Sequence, residues 1–379
     1  LIESGVTLLP FRSFHLVQIL RLFTESTLPI DLFLKRYFAS HKAIGAHDRR
    51  YITERVYKAI RWQGLLSFLS KNSSWEEKLP LLEQLDPTSW LSVETIPLHD
   101  RWSFPESYVT FLQEQLGEEK AKKFCLISNH QAPTTIRTNA LKTTREALFI
   151  KLKQHHDVVL GEHCPFAISF KERVNFLTLS EFREGLFEVQ DEGSQLLSLY
   201  VPVKPGDQFL DFCAGSGGKT LAIAPKMQGR GQIYLYDIRH KALLEAKKRL
   251  YRAGIQNAQI VQKDSLPSLL GKMDVVLVDA PCSGSGTLRR NPDMKWKFSL
   301  SSLQATIELQ RTIFAEALSF VKPGGWIIYA TCSIFPKENE EQLHYFLQNY
   351  QVRSGPPPFS SFPSAQGMDG FYAVALQKS

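Results

Sequence analysis

From about Gly185 onward, short apolar runs alternate with stretches of helical length: QFLDF (208–212), QIYLYD (232–237), AQIVQ (258–262), DVVLVD (274–279) and WIIYA (326–330). Runs this short and this uniformly apolar suit strands buried on both faces, and the lengths between them suit helical crossovers. The pattern therefore predicts an α/β domain built on a doubly wound parallel sheet. Such sheets bind ligands in the crevice beyond the carboxyl ends of their strands. Residues just after each run are thus the first to weigh for chemistry. The closing segment GFYAVALQK (370–378) predicts one more strand, an antiparallel edge.

Two of the runs end in thiols. Asp279-Ala280-Pro281-Cys282-Ser283 follows MDVVLV (273–278), and Thr331-Cys332-Ser333 follows WIIYA. A buried Cys is commonly just a small hydrophobe, but two thiols delivered to one sheet edge point to nucleophilic chemistry. Asp279 reads either as a capping carboxylate or as a group that stabilises protonation of a substrate nitrogen.

The loop Asp211-Phe212-Cys213-Ala214-Gly215-Ser216-Gly217-Gly218-Lys219-Thr220 follows the first run. Its end imitates a phosphate-binding loop, but Cys213 stands where that motif needs Gly, and the spacing is not that of a dinucleotide fingerprint either. What remains is a glycine-rich turn that admits close approach of backbone to ligand. Asp237 at the end of the second run suits ribose hydroxyls, and Asp264 at the end of the third lies within reach of an adenine-like base. With nothing to cradle a polyphosphate, the ligand expected is an adenosine compound without pyrophosphate. S-adenosylmethionine is the commonest such cofactor.

The rest of the chain is of another kind. Residues 1 to about 90 read as all-helical, with apolar stretches at Phe14–Phe23, Ile30–Phe38 and Ile52–Leu69. A loop punctuated by Pro80, Pro87, Pro97 and Pro105 follows. Helical patterns, a strand TTIRTN (134–139) and a helix near Arg145–His155 come next. Thr143, with Glu146 three residues on, has the spacing of a capping box for that helix. Net charge is +7 with pI near 9.0. Residues 1–70 carry ten Lys or Arg against five Asp or Glu. In HDRRYITERVYKAIRW (47–62), Ile52, Val56, Ala59 and Ile60 share one stripe, with Arg50, Lys58 and Arg61 opposite; this predicts a core side and a basic side, which reads either as a solvated surface or as a face for nucleic-acid phosphates. With 43% apolar and 22% charged residues the chain is globular rather than disordered. Five Cys without a Cys-x-x-Cys pair signal neither a disulfide framework nor a metal site. No secretory signal or membrane-spanning run is evident, so a cytoplasmic setting is expected.

These blocks have a precedent. DFCAGSGGKT, DVVLVDAPCSGSGTLRRNPDMKW and WIIYATCSIFPKENEEQ resemble the signature blocks of the Nop/Sun family of RNA cytosine-5 methyltransferases, and VQDEGSQL (189–196) resembles the family's lead-in to its catalytic domain. The helical start is similar to the NusB-like RNA-binding domain of members that act on small-subunit rRNA. The middle, with Ile136-Arg137-Thr138-Asn139, is similar to their linking domain. The resemblance implies a NusB-like helical domain (1–90), a small α+β linking domain (91–180) and a Rossmann-like class I S-adenosylmethionine-dependent catalytic domain (181–379). It assigns the nucleophile to Cys332 and product release to Cys282; the residues alone leave the two thiols unranked. It places the cofactor on Cys213, Ala214, Gly215, Ser216, Gly217, Gly218, Lys219, Asp237, Asp264 and Asp279, with no metal. Cys125 and Cys164 fall outside these blocks and read as packing residues. One departure stands out: the family's loop reads Cys-Ala-Ala-Pro-Gly-Gly-Lys, and Gly215 and Ser216 here replace Ala and Pro, which loosens the turn.

The substrate implied is RNA, with 16S rRNA favoured by the NusB-like start. Arg289, Arg290 and Lys295, with Trp296, make a basic loop expected to grip phosphates and stack on a base. Two other readings are a tRNA cytosine-5 methyltransferase and a non-catalytic RNA-binding assembly factor. Retention of Cys282, Cys332, Asp237 and Asp264 speaks against the last.

Overall fold

The structure is a computed structural model that describes residues 9–71 and 74–379; the reading of the first eight residues as free of a secretory leader lies outside them. The chain forms two compact units, residues 1–131 with 288–299, and residues 132–287 with 300–379. Among the described residues no helix is long and apolar enough to cross a membrane, and no cluster of His, Cys, Asp and Glu could hold a metal ion.

The first unit is helical. Helices Phe11–Thr24, Ile30–Ser40, Ala46–Arg61, Gln63–Leu69 and Trp75–Gln84 enclose a core that includes Leu16, Ile19, Leu34, Ile52, Val56 and Leu66. The stripe Ile52, Val56, Ala59 and Ile60 is buried as its spacing requires. Its opposite face is less free than expected. Arg50 is exposed and pairs with Glu54, but Lys58 donates to the Leu82 carbonyl and Arg61 to the Arg289 carbonyl. The proline-rich stretch is not one loop. Pro80 lies inside a helix, and Pro97 and Pro105 sit at the N-caps of Leu98–Trp102 and Glu106–Leu116, where the missing N–H is no loss.

Residues 288–299 also pack in this helical unit. Arg289 and Lys295 are each 1% exposed, so they do not form a free basic loop after Cys282. Lys295 Nζ donates to the Arg61 carbonyl (2.7 Å) and to Asn129 Oδ1 (2.6 Å), and Trp296 Nε1 donates to the Ile60 carbonyl (2.8 Å). Burial pushes the Lys295 ammonium well below its ordinary range.

The second unit holds two sheets. The smaller is antiparallel, ordered Val158–Leu160, Ala167–Phe170, Thr134–Thr138, Phe187–Val189. Helix Arg145–Lys153 packs Leu148 and Leu152 on it; the helix is capped by Thr144, not Thr143, so Glu146 falls one place short of a capping box. The larger sheet runs Val352–Ser354, Phe371–Lys378, Val321–Thr331, Met273–Asp279, Gln208–Asp211, Gln232–Leu235, Ala258–Ile260. The last five of these are parallel to one another. Phe371–Lys378 is antiparallel as expected, yet it is interior, flanked by Val352–Ser354 and Phe359–Ser361.

Alternation explains the all-apolar strands. Val275, Leu277, Ile328 and Ala330 face one core, with helices Glu192–Tyr200 and His240–Ala253. Val276, Val278, Ile327 and Tyr329 face the other, where Phe314 and Phe346 stack at 3.7 Å. Side chains two apart share a face, so a strand covered on both sides needs no polar positions.

Asp211 closes its strand as a buried carboxyl. It accepts from Thr220 Oγ1 (2.6 Å), while its other oxygen has no hydrogen-bond partner. Burial first, with the nearby Asp279 charge adding and the Thr220 bond opposing, pushes it up to about 7. The folded value lies above the unfolded one, so folding takes up a proton between them. This group's stabilisation is complete below its unfolded pKa and is lost as pH rises through about 7. Urea unfolding of the wild type should show that decline, and Asp211→Asn should flatten it. An equal pH slope in both proteins would show that Asp211 does not bind the proton.

Candidate functional site

Strands Met273–Asp279 and Val321–Thr331 are adjacent and parallel, with Asp279 opposite Ala330. The chain therefore delivers Cys282 and Cys332 to one spot, with the sulfurs 3.3 Å apart. Both are free, partly exposed thiols. Two glycines make the approach possible: the Gly286 amide donates to the Cys332 carbonyl (2.9 Å) and the Gly370 amide to the Gly286 carbonyl (2.9 Å). A Cβ on Gly286 would lie 2.1 Å from the Gly370 carbonyl oxygen, so no larger residue fits there without a shift of backbone.

Lys219 and Asp279 form a close ion pair beside the thiols. Burial opposes the Lys219 charge, but Asp279 outweighs it, and the ammonium stays above its ordinary range. The thiols are polarised in opposite senses. Cys282 is pushed well up by its hydrogen bond to Cys332, then by burial. Cys332 is moved down by that same bond, with Lys219 assisting against burial and Asp279. The pair thus favours a thiolate on Cys332 and a proton on Cys282.

The glycine turn stands nearby. Gly215 and Gly217 have φ of +53° and +77°, a region that favours glycine, and the space over Gly218 is open. Asp237 lies two residues past its strand, where Oδ2 accepts from the Gly215 amide (2.8 Å) and Arg239 Nη2 (3.0 Å), and Oδ1 from the Arg239 amide (2.8 Å). Burial opposes its ionisation, but the bonds from Arg239 and Gly215 prevail and hold the carboxyl below its ordinary range. Asp264 does not end a strand. It lies four residues past Ile260, exposed on the first turn of the short helix Lys263–Leu269. Cys213 is partly exposed, and burial pushes its thiol up. Cys125 and Cys164 are buried packing residues.

The loosening expected from Ser216 has a counterweight. Arg249 Nη1 donates to both the Ser216 carbonyl and its hydroxyl (2.9 Å each), and Arg249 is itself anchored on Glu188 of the smaller sheet (3.0 Å). Arg137, from the same sheet, donates to the Gly218 carbonyl (3.2 Å). Glu188, Arg249 and Gly286 carry no sequence signal of their own; each acts through a partner remote along the chain or through a backbone contact. Only the departure at Ser216 hinted that a compensating bond was needed.

The turn, Asp237 and the thiols lie along one carboxyl-end edge of the parallel strands, where open α/β sheets bind ligands. Comparison with known proteins agrees. Residues 198–377 match the family 16S rRNA methyltransferase RsmB/F, and residues 104–176 match its ferredoxin-like domain. The ribosomal RNA small subunit methyltransferase B of Vibrio vulnificus is 29% identical over 90% of this chain and 80% of its own length. The Bacillus subtilis protein described as a probable methyltransferase B is 30% identical over 87% and 78%. Among solved structures, PH0851 superposes on 99% of this chain and all of its own at TM-score 0.80 and 24% identity. NSun6 from Pyrococcus horikoshii with SFG covers 73% of this chain and 98% of its own at TM-score 0.66 and 20% identity. These neighbours share the Rossmann-like methyltransferase fold. The chain belongs to the RsmB/F family of S-adenosylmethionine-dependent rRNA methyltransferases.

Proposed function

We propose that this protein methylates carbon 5 of a cytosine in 16S rRNA through a covalent adduct with Cys332. The observation that carries the reading is the thiol pair at 3.3 Å beside the Lys219–Asp279 ion pair. Carbon 5 of cytosine is a poor nucleophile on its own. Attack of the Cys332 thiolate forms an S–C6 bond and moves the C5–C6 π pair to carbon 5, which gains enamine character. Asp279 offers a carboxylate to the ring nitrogen as that nitrogen takes up a proton. Once carbon 5 carries the methyl group, transfer of its proton to a base restores the C5–C6 double bond and expels the Cys332 sulfur as a thiolate, a release in which Cys282 takes part.

The cofactor supplies an electrophilic methyl group on a sulfonium. Cys213 through Lys219, with Asp237, Asp264 and Asp279, are the residues proposed to hold it. The positive-φ glycines, the open space over Gly218 and the well-anchored Asp237 support that fit. We read residues 1–90 as the RNA-binding helical stretch, 91–180 as the link and 181–379 as the catalytic part. Lys35, Arg36, Lys42 and Arg50 are exposed and offer positive charge to RNA phosphates that Lys58 and Arg61 do not. The target base must leave its stack to reach the thiols, so an unpaired cytosine is expected. Two thiols this close would oxidise to each other outside a reducing compartment, which supports a cytoplasmic enzyme.

On this reading Cys332→Ser abolishes methylation and yields no adduct, whereas Cys282→Ser still adds and methylates but stalls, leaving protein joined to RNA on a denaturing gel. The reverse pattern would make Cys282 the nucleophile. Asp237→Ala should weaken S-adenosylmethionine binding by about 1.5–3 kcal/mol, the worth of a charge-assisted hydrogen bond. Unchanged affinity by calorimetry would remove Asp237 from the cofactor site.

A further inference from the structure

Glu338 has no part in the scheme above, yet it is a fully buried carboxylate six residues past Cys332, on the short helical turn Pro336–Glu338. A buried charge needs a dense set of donors to be tolerated. Here Oε1 accepts from the Ser283 amide (2.8 Å) and Gln310 Nε2 (3.0 Å), and Oε2 from the Ser283 hydroxyl (2.5 Å). The same Gln310 Nε2 donates to the Pro281 carbonyl (3.0 Å). The peptide groups on both sides of Cys282 are therefore held by one carboxylate–carboxamide pair. Gln342 fixes the orientation of Gln310 by donating to its Oε1 (2.9 Å), and Tyr329 donates to the Glu338 carbonyl (2.8 Å).

We propose that Glu338 is a positioning residue for Cys282: by clamping Pro281 and Ser283 and setting a buried negative charge beside that thiol, it keeps the proton on Cys282 and leaves Cys332 as the thiolate. Tyr329 faces Cys282, Lys219 and Asp279 face Cys332, and Glu338 acts on both thiols while being bonded to the loop of Cys282. Lys219 favours an anion on Cys332 against Asp279; Glu338 opposes an anion on either thiol, but its hydrogen bonds tie it to the loop of Cys282. A single cation among the thiols would leave open which of two sulfurs 3.3 Å apart it ionises. A carboxylate fixed to the loop of one of them breaks the symmetry. The inference rests on the covalent reading for its catalytic consequence, but the thiol polarity can be measured without RNA or cofactor.

The test is iodoacetamide labelling of the reduced full chain across pH, with each cysteine quantified by mass spectrometry of its peptide. In the wild type Cys332 should label at lower pH than Cys282. Glu338→Gln keeps an acceptor for the Ser283 amide and removes the charge, so the Cys282 midpoint should fall by about one pH unit, about tenfold in labelling rate at a pH below it. Glu338→Asp keeps the charge and should keep the order. A folded Glu338→Gln protein with an unchanged Cys282 midpoint would overturn the proposal. Should that variant fail to fold, the wild-type order decides: Cys332 first supports the proposal, and Cys282 first overturns it. A protein that shows the predicted order and shift yet never forms an RNA adduct would leave this inference standing and remove the covalent reading.

Discussion

The 3.3 Å approach of Cys282 and Cys332 depends on one constraint, the parallel pairing of two fully buried strands. Neighbouring strands lie about 4.8 Å apart, and the register that sets Asp279 against Ala330 leaves each thiol only a few residues of loop to travel. A slip of one residue would turn every side chain of either strand to the opposite face. The two cores, one lined by Val275 and Leu277 and the other by Val276 and Val278, forbid that slip. Packing far from the reacting atoms thus fixes the sulfur–sulfur distance. The close backbone contact at Gly286 and Gly370 completes the placement at the loop end.

Electrostatics then makes two chemically identical groups different. Lys219, tied to Asp279, stands near Cys332, and the carboxylate of Glu338 is bonded to the loop that carries Cys282. Each charge is itself satisfied by fixed partners, so little rearrangement is needed when the thiolate forms. The glycine-rich turn is stiffened from behind in a similar way, through Arg249 on Ser216 and Arg137 on Gly218, both reaching from or anchored to the smaller sheet. The smaller sheet therefore acts on the glycine-rich loop directly.

Much of this was legible in the chain because it is local. Five apolar runs gave the parallel strands, and the thiols, the glycine turn and Asp237 sit within a few residues of strand ends. What was not legible depends on contacts between distant segments. Lys295 and Trp296 have the composition of an RNA-gripping loop, and equally that of a buried hydrogen-bonded plug; only Asn129 and the carbonyls of Arg61 and Ile60 decide between them. Lys58 and Arg61 read as a free basic face until the Leu82 and Arg289 carbonyls are placed against them. Glu338 stands in a polar stretch, Lys337-Glu338-Asn339-Glu340-Glu341, that looks solvated, and its burial follows from Ser283 and Gln310. Asp264 misses the strand end expected of it for a simpler reason: its strand ends at Ile260, earlier than the apolar pattern suggests.

The central claim, attack by Cys332 on carbon 6 of cytosine, has a direct test in the wild-type protein. Substrate RNA carrying fluorine in place of hydrogen at carbon 5 of cytosine can accept the thiolate and the methyl group but cannot lose a proton from that carbon, so the adduct persists. After incubation with S-adenosylmethionine and digestion, mass spectrometry should find the nucleotide joined to the peptide that contains Cys332. A nucleotide joined to the Cys282 peptide, or methyl transfer to unmodified RNA with no adduct from the fluorinated strand, would contradict the account.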